Sequence, residues 1–406
     1  MSDQIYGDRI KQARTLRQLT STSLAEALDV TPSTITRWEA AEQLTMEPGR
    51  VDKLSSFLRF PNAFFEALPS DPVVDDDLLF RAPKSTAKRE KAYLREFARL
   101  AGEVLAWVEE RRALPPLTLP TDGEGSDVVG AAQAARRALG HSSDSPIQSL
   151  THAVERAGVP VLRRPMKIYD GESRGTNTEK HLGYTTWVGD FWDRPIVITR
   201  AVPSWERTRW TVAHEVGHIV LHHRRAKTYD GATAEDEANW FANELLAPVA
   251  VLREELPAVI TLFSLLDAKA KWGISLGALT THLYVNRIIS QERRETLRAQ
   301  LYARHNPETG TTYGVYEPGW KDREPEQPSM LRFWLERTVG TTRPEAIAAM
   351  SGQWPADLLA EMLVEQQART VLPKSQGQAA EVVSLASRRS RHNPPNGEAG
   401  ARTAGR

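Results

Sequence analysis

One stretch constrains this chain more than any other: Trp210-Thr-Val-Ala-His-Glu-Val-Gly-His-Ile-Val-Leu-His-His223. Val212, Ala213, Val216, Ile219 and Val220 make it mostly apolar, so it reads as a buried helix. Residues four apart on a helix share a face, one turn apart. His214 and His218 therefore present two imidazoles to one point, and a buried Glu215 beside them is unfavourable without a compensating partner. Two neutral nitrogens suit Zn2+, which also needs a third protein ligand and an open position for water. Glu215 is placed to take a proton from that water. The competing reading is a core helix whose histidines are satisfied by their neighbours.

A third ligand is sought downstream, in Thr233-Ala-Glu-Asp-Glu-Ala-Asn-Trp-Phe-Ala-Asn-Glu-Leu-Leu-Ala-Pro248. Thr233 suits an N-cap, and acidic residues favour the first turn that follows. Ala238, Phe241, Ala242, Leu245 and Leu246 form an apolar stripe, and Pro248 ends the run. The polar stretch 224–231 lets the two helices fold back on each other, so Glu235 or Glu237 can face the histidines. Asn239, four residues after Glu235, favours Glu235, since that amide can hold a liganding imidazole from behind.

These two segments together resemble the ImmA/IrrE family of zinc metallopeptidases. The resemblance implies a gluzincin-like site, with His214, His218 and Glu235 on zinc and Glu215 as the base. Matching the Asn and Pro of the family pattern also puts its acidic ligand on Glu235 rather than Glu237. Tyr184 and His222 are the candidates for an oxyanion donor. Three ligands from one straight helix converge poorly on a tetrahedral ion, so His222 is expected behind the ligands or at the helix end. His223 is expected to be exposed.

A second signal lies near the start. Ile10, Ala13, Leu16 and Leu19 mark an amphipathic helix. Thr20 caps another over 21–28, Asp29-Val30 makes a turn, and Thr31 caps a third over 32–40 with Pro32 at its first position. The string from Leu19 to Glu39 resembles an Xre/Cro-type helix-turn-helix. That resemblance implies DNA-operator binding, with Ser33, Thr34 and Arg37 towards base edges and Ser21 at a phosphate. A homodimer is compatible with such a module, though no interface for one is visible.

The 406 residues carry 52 basic and 52 acidic side chains, so bulk charge steers the chain to no particular partner. The absence of cysteine excludes disulfides and thiolate metal sites. The polar start lacks a signal-peptide core and no run is long enough for a membrane helix, so a cytoplasmic protein with no membrane contact is expected. The expected fold is mostly α with a small α+β part. A helix-turn-helix domain spans 1–70, and a linker with a connecting helix over 84–112 spans 71–125, its charges forming a solvated face. A metallopeptidase domain with a small antiparallel sheet spans 126–300, with strands at 159–162, 185–188 and 195–199. A helical accessory segment (301–370) and a disordered tail (371–406) follow.

The functional expectation is a DNA-binding zinc metalloendopeptidase that regulates transcription by cleaving a repressor. The alternative is a non-catalytic regulator or antitoxin whose zinc is structural or sensory.

Overall fold

A computed structural model describes residues 3–73, 88–121, 127–164, 183–189, 193–200, 202, 204–222 and 231–363. The N-terminal part runs β1 (Asp3–Ile5), α1 (Gly7–Leu16), α2 (Ser21–Ala27), α3 (Pro32–Glu39), β2 (Leu44–Met46), α4 (Pro48–Leu58) and α5 (Asn62–Glu66). Its helix starts are those the sequence marks: the Thr20 hydroxyl accepts from the Ser23 amide at 3.0 Å and Thr31 from the Thr34 amide at 3.3 Å. Asp29 turns the chain with φ 54°, a left-handed conformation that Asp tolerates better than most residues. The antiparallel pair β1–β2 is an addition to the sequence reading, because two three-residue strands leave no alternation to detect.

Gly7 starts α1 against the end of α3. A Cβ there would lie 2.0 Å from the Trp38 carbonyl oxygen and 2.4 Å from that of Ala41, and backbone cannot yield as a side chain can. Gly7→Ala is expected to destabilise the protein by at least ~2 kcal/mol. Gly49→Ala, in the first turn of α4 with nothing among the described residues within 4 Å of the new methyl, should be neutral or slightly stabilising. Urea unfolding of the two variants checks the pair.

Next come α6 (Lys88–Glu109), α7 (Val128–Ala138), α8 (Leu150–Arg156), β3 (Val161–Arg164), β4 (Gly183–Val188) and β5 (Arg194–Arg200). Then follow α9 (Trp205–His222), α10 (Gly231–Leu246), α11 (Val249–Glu255), α12 (Leu262–Trp272), α13 (Leu276–Val285) and α14 (Gln291–Ala303). Helices α15 (Met330–Val339), α16 (Pro344–Ser351) and α17 (Ala356–Leu363) end the described chain. The expected tail, 371–406, lies outside the described residues, as do 74–87 of the expected linker. Among the described residues no helix is long and apolar enough to cross a membrane.

The sheet has the order β3-β5-β4 and is mixed, not wholly antiparallel. Strands β4 and β5 pair antiparallel, as expected, but β3 pairs parallel to β5. The chain leaves β3, returns along β4 and enters β5 in its original direction, so β3 beside β5 must be parallel. Both faces are buried. Ile196 and Ile198 of β5 join a core with α1, α6 and α15–α17, whereas Val197 joins a core with α7–α10 and α12–α14. This period-two partition sets the N-terminal helices on one face and the site helices on the other.

Helix α6 is the second correction. Its charges do not form a solvated face: Arg99 pairs with Asp8 at 2.7 Å, Glu103 pairs with Arg9 at 2.7 Å, and Arg9, Arg99 and Glu103 are all largely buried. They fasten α1 to α6 through partners about ninety positions apart in sequence, which no local charge pattern shows. Arg17, at the C-terminal cap of α1, also reaches Asp357 of α17 at 2.6 Å. The helix-turn-helix is thus docked through α1.

Candidate metal centre

Helices α9 and α10 approach closely because small residues line their contact. A Cβ on Gly217 would lie 3.1 Å from Phe241 Cδ1 and 3.2 Å from Ala238 Cα. This closeness brings the first turns of α10 over the His214–His218 face. His214 Nε2 and His218 Nε2 are 3.1 Å apart, and the two Glu235 oxygens lie 3.5 Å from one ring nitrogen each. His214, His218 and Glu235 are the His/Asp/Glu group among the described residues whose ligand atoms converge on one point, within 4.8 Å of one another. Donors ~2.0–2.1 Å from a tetrahedral zinc ion would stand ~3.3–3.4 Å apart, so the triangle fits that ion.

The electrostatics agree with the geometry. Burial pulls His218 down to about 4, so its ring is neutral at neutral pH with a lone pair to give. Burial alone would raise Glu235, but hydrogen bonding to the two imidazoles outweighs it and holds the carboxyl ionised. Two imidazole nitrogens and one carboxylate make a donor set suited to a divalent cation. Glu215 is the opposite case. It is 3 % exposed, its Oε2 has no hydrogen-bond partner among the described residues, and burial, with Glu235 nearby, pushes it well above the usual carboxylate range.

The rings are supported differently from the expectation. Asn239 makes no hydrogen bond to either ring among the described residues, and His214 Nδ1 is buried without a partner. His214 is instead stacked by Trp210, with ring centroids 5.2 Å apart and 29° between planes. The Trp210 indole donates to Asn243 Oδ1 at 2.9 Å. His218 is backed by His222, with Nδ1 to Nδ1 at 3.0 Å, and His222 Nε2 lies 3.0 Å from Glu237 Oε2. With the His218 Nε2 lone pair given to a cation, its Nδ1 proton is donated to His222, and His222 donates its Nε2 proton to Glu237. Glu237, the reserve ligand of the sequence reading, therefore sits behind the site.

Neither oxyanion candidate turns to the site. The Tyr184 hydroxyl donates to the Leu94 carbonyl at 3.1 Å, and His222 lies behind His218. Sequence reasoning missed Trp210, whose position four residues before His214 was a usable signal. It also missed Gly183, which carried none: a Cβ there would lie 3.0 Å from Glu215 Oε1 and 2.6 Å from Thr211 Cγ2. Only glycine lets β4 begin this close to the acid. His223 lies outside the described residues.

In the helix-turn-helix, Ser33 and Arg37 are exposed, while Ser21 and Thr34 are half-buried. The Ser33 and Thr34 hydroxyls both meet Thr31 Oγ1, at 2.8 and 3.0 Å. Arg37 has no ion pair among the described residues. Arg14 grips Glu39 with two bonds of 2.6 and 2.9 Å and so fixes α3 from behind.

Among curated proteins, no relative matches the chain. Two family models do match: the IrrE N-terminal-like domain, Peptidase_M78, over residues 154–284, and the helix-turn-helix over residues 10–61. The first span holds the His214, His218 and Glu235 triangle and the second holds α2 and α3, so residues 154–284 are similar to an IrrE N-terminal-like domain and residues 10–61 to a helix-turn-helix domain.

Proposed function

We propose that this chain is a cytoplasmic zinc metalloendopeptidase that regulates transcription by cleaving a repressor protein, with its helix-turn-helix holding it at a DNA operator. His214, His218 and Glu235 would hold the metal. A bound zinc ion supplies a water of lowered pKa and polarises the scissile carbonyl. Glu215 Oε2 takes a proton from the attacking water and passes it to the leaving amine. His222 and Glu237 hold the His218 ring in its liganding orientation. Ser33, Thr34 and Arg37 would read bases, and Ser21 would meet the backbone.

The observation that carries this reading is Glu215. Its carboxyl is buried, with one oxygen lacking a partner among the described residues, beside a complete donor triangle. A site that held zinc for structure alone gains nothing from such an acid, which is unfavourable to bury. A carboxyl of raised proton affinity next to the reacting water is what a general base requires.

The test uses the purified full-length protein and a peptide mixture generated from a whole proteome, read by mass spectrometry. About one zinc per chain is expected. Cleavage should stop on chelation and return when zinc is restored. Zinc without cleavage would favour a non-catalytic regulator, and no bound metal would leave only a helical scaffold.

A further inference from the structure

A cleft of about 650 Å³ opens between the N-terminal half of α9, helices α13 and α14, and the segment 313–320. Its volume falls in the range of small-molecule sites, ~300–1,000 Å³. Two chemistries line it. Arg207 of α9 and Arg294 and Arg298 of α14 bring three guanidinium groups, and none has a carboxylate partner among the described residues. Trp210, Tyr313 and Trp320 bring aromatic faces.

The two carboxylates on the wall do not cancel this charge, because both are engaged elsewhere. Glu206 pairs with Lys269, and Glu317 meets Lys269 at 3.1 Å and accepts from the Leu276 and Gly277 amides at 2.8 and 3.2 Å. Arg294 lies over the Tyr284 ring at 4.3 Å and Arg298 over the Tyr302 ring at 6.0 Å, contacts that use a guanidinium face and leave its N–H edge, so the groups left to a ligand are cation edges and rings. Arginine pairs with carboxylate or phosphate in a planar fork, and aromatic faces accept a flat ring in stacking geometry.

We propose that this cleft binds a small planar aromatic molecule carrying an oxyanion group. Trp210 forms part of the wall and stacks on His214, so the occupant lies one ring away from the metal centre. The site is separate from the His214, His218 and Glu235 triangle, and binding does not depend on the peptidase reading.

Isothermal titration calorimetry on the chelator-treated full-length protein tests this without involving the metal. The probes are AMP for an aromatic phosphate and salicylate for an aromatic carboxylate, with adenosine and inorganic phosphate as half-probes. At least one aromatic anion should saturate with Kd of ~10–500 µM. Which of the two binds distinguishes phosphate from carboxylate as the anion. Each half-probe should bind at least tenfold more weakly. The double variant Arg294→Glu, Arg298→Glu should lose tenfold or more in affinity with an unchanged melting temperature. Should that variant fail to fold, Arg207→Glu, on an exposed position of α9, gives the same readout with a smaller loss. Absence of saturation by both aromatic anions, or equal affinity in a folded charge-reversed variant, overturns the proposal.

Discussion

Replacing Glu215 by glutamine is expected to leave zinc bound and to lower peptide cleavage by ~10²–10⁴-fold, the usual worth of a general acid–base group. The two effects separate because Glu215 is outside the His214, His218 and Glu235 triangle. Glutamine keeps the length and shape of the side chain, which matters in a space bounded by Gly183 and Thr211. It cannot accept a proton from water. It also removes an acid that burial makes costly to ionise, so the variant should be at least as stable as the parent. Zinc content, thermal unfolding and cleavage rate are measured on the same preparation. A stable, zinc-loaded E215Q protein that still cleaves at the parent rate would remove the carboxyl from the chemistry. Loss of zinc together with activity would instead make Glu215 part of the metal's hold.

How much of this was legible in the sequence depends on the range of each interaction. The His214–His218 spacing is a property of one helix turn, and the two rings do meet. The caps Thr20 and Thr31 act on amides three residues away and are where the sequence puts them. Glu235 required only that two helices joined by a short connection fold back on each other. The misses lie at long range or in shape. His222 lies behind His218 as expected, but its anchoring by Glu237 depends on how α10 is rotated against α9, which apolar spacing fixes only coarsely. The burial of Arg99 and Glu103 on α6 depends on partners in α1. The parallel register of β3 depends on strand order, to which a four-residue strand is blind. The segment after residue 300 carried no readable role, and its polar residues prove to be fastened to the site helix from a distance.

That fastening sets the second large expectation: Arg209→Leu should destabilise the fold by ~3–5 kcal/mol, the range for breaking a buried ion pair. Arg209 is 2 % exposed on α9, and its guanidinium joins four segments. It donates to the carbonyls of Ile147 at 2.7 Å, Gln148 at 3.2 Å and Gly273 at 3.2 Å, and pairs with Glu326. Glu326 in turn accepts from the Leu150 and Thr151 amides at 3.1 and 2.6 Å, capping α8 from across the fold. Close by, Glu155 of α8 accepts from the Ser329 and Met330 amides at the start of α15, at 3.0 and 2.9 Å. Leucine would leave three carbonyls without a donor and a carboxylate without its counter-charge. Lysine keeps the charge but not the planar fork, so Arg209→Lys should recover only part of the loss. Adding Glu326→Gln to Arg209→Leu removes the orphaned charge, and the double variant should be more stable than the sum of the two single losses predicts. Urea unfolding of the four proteins reads the cycle. Strict additivity would mean that Arg209 and Glu326 act independently. A loss below ~1 kcal/mol for Arg209→Leu would mean that the accessory helices are held by their apolar contacts alone.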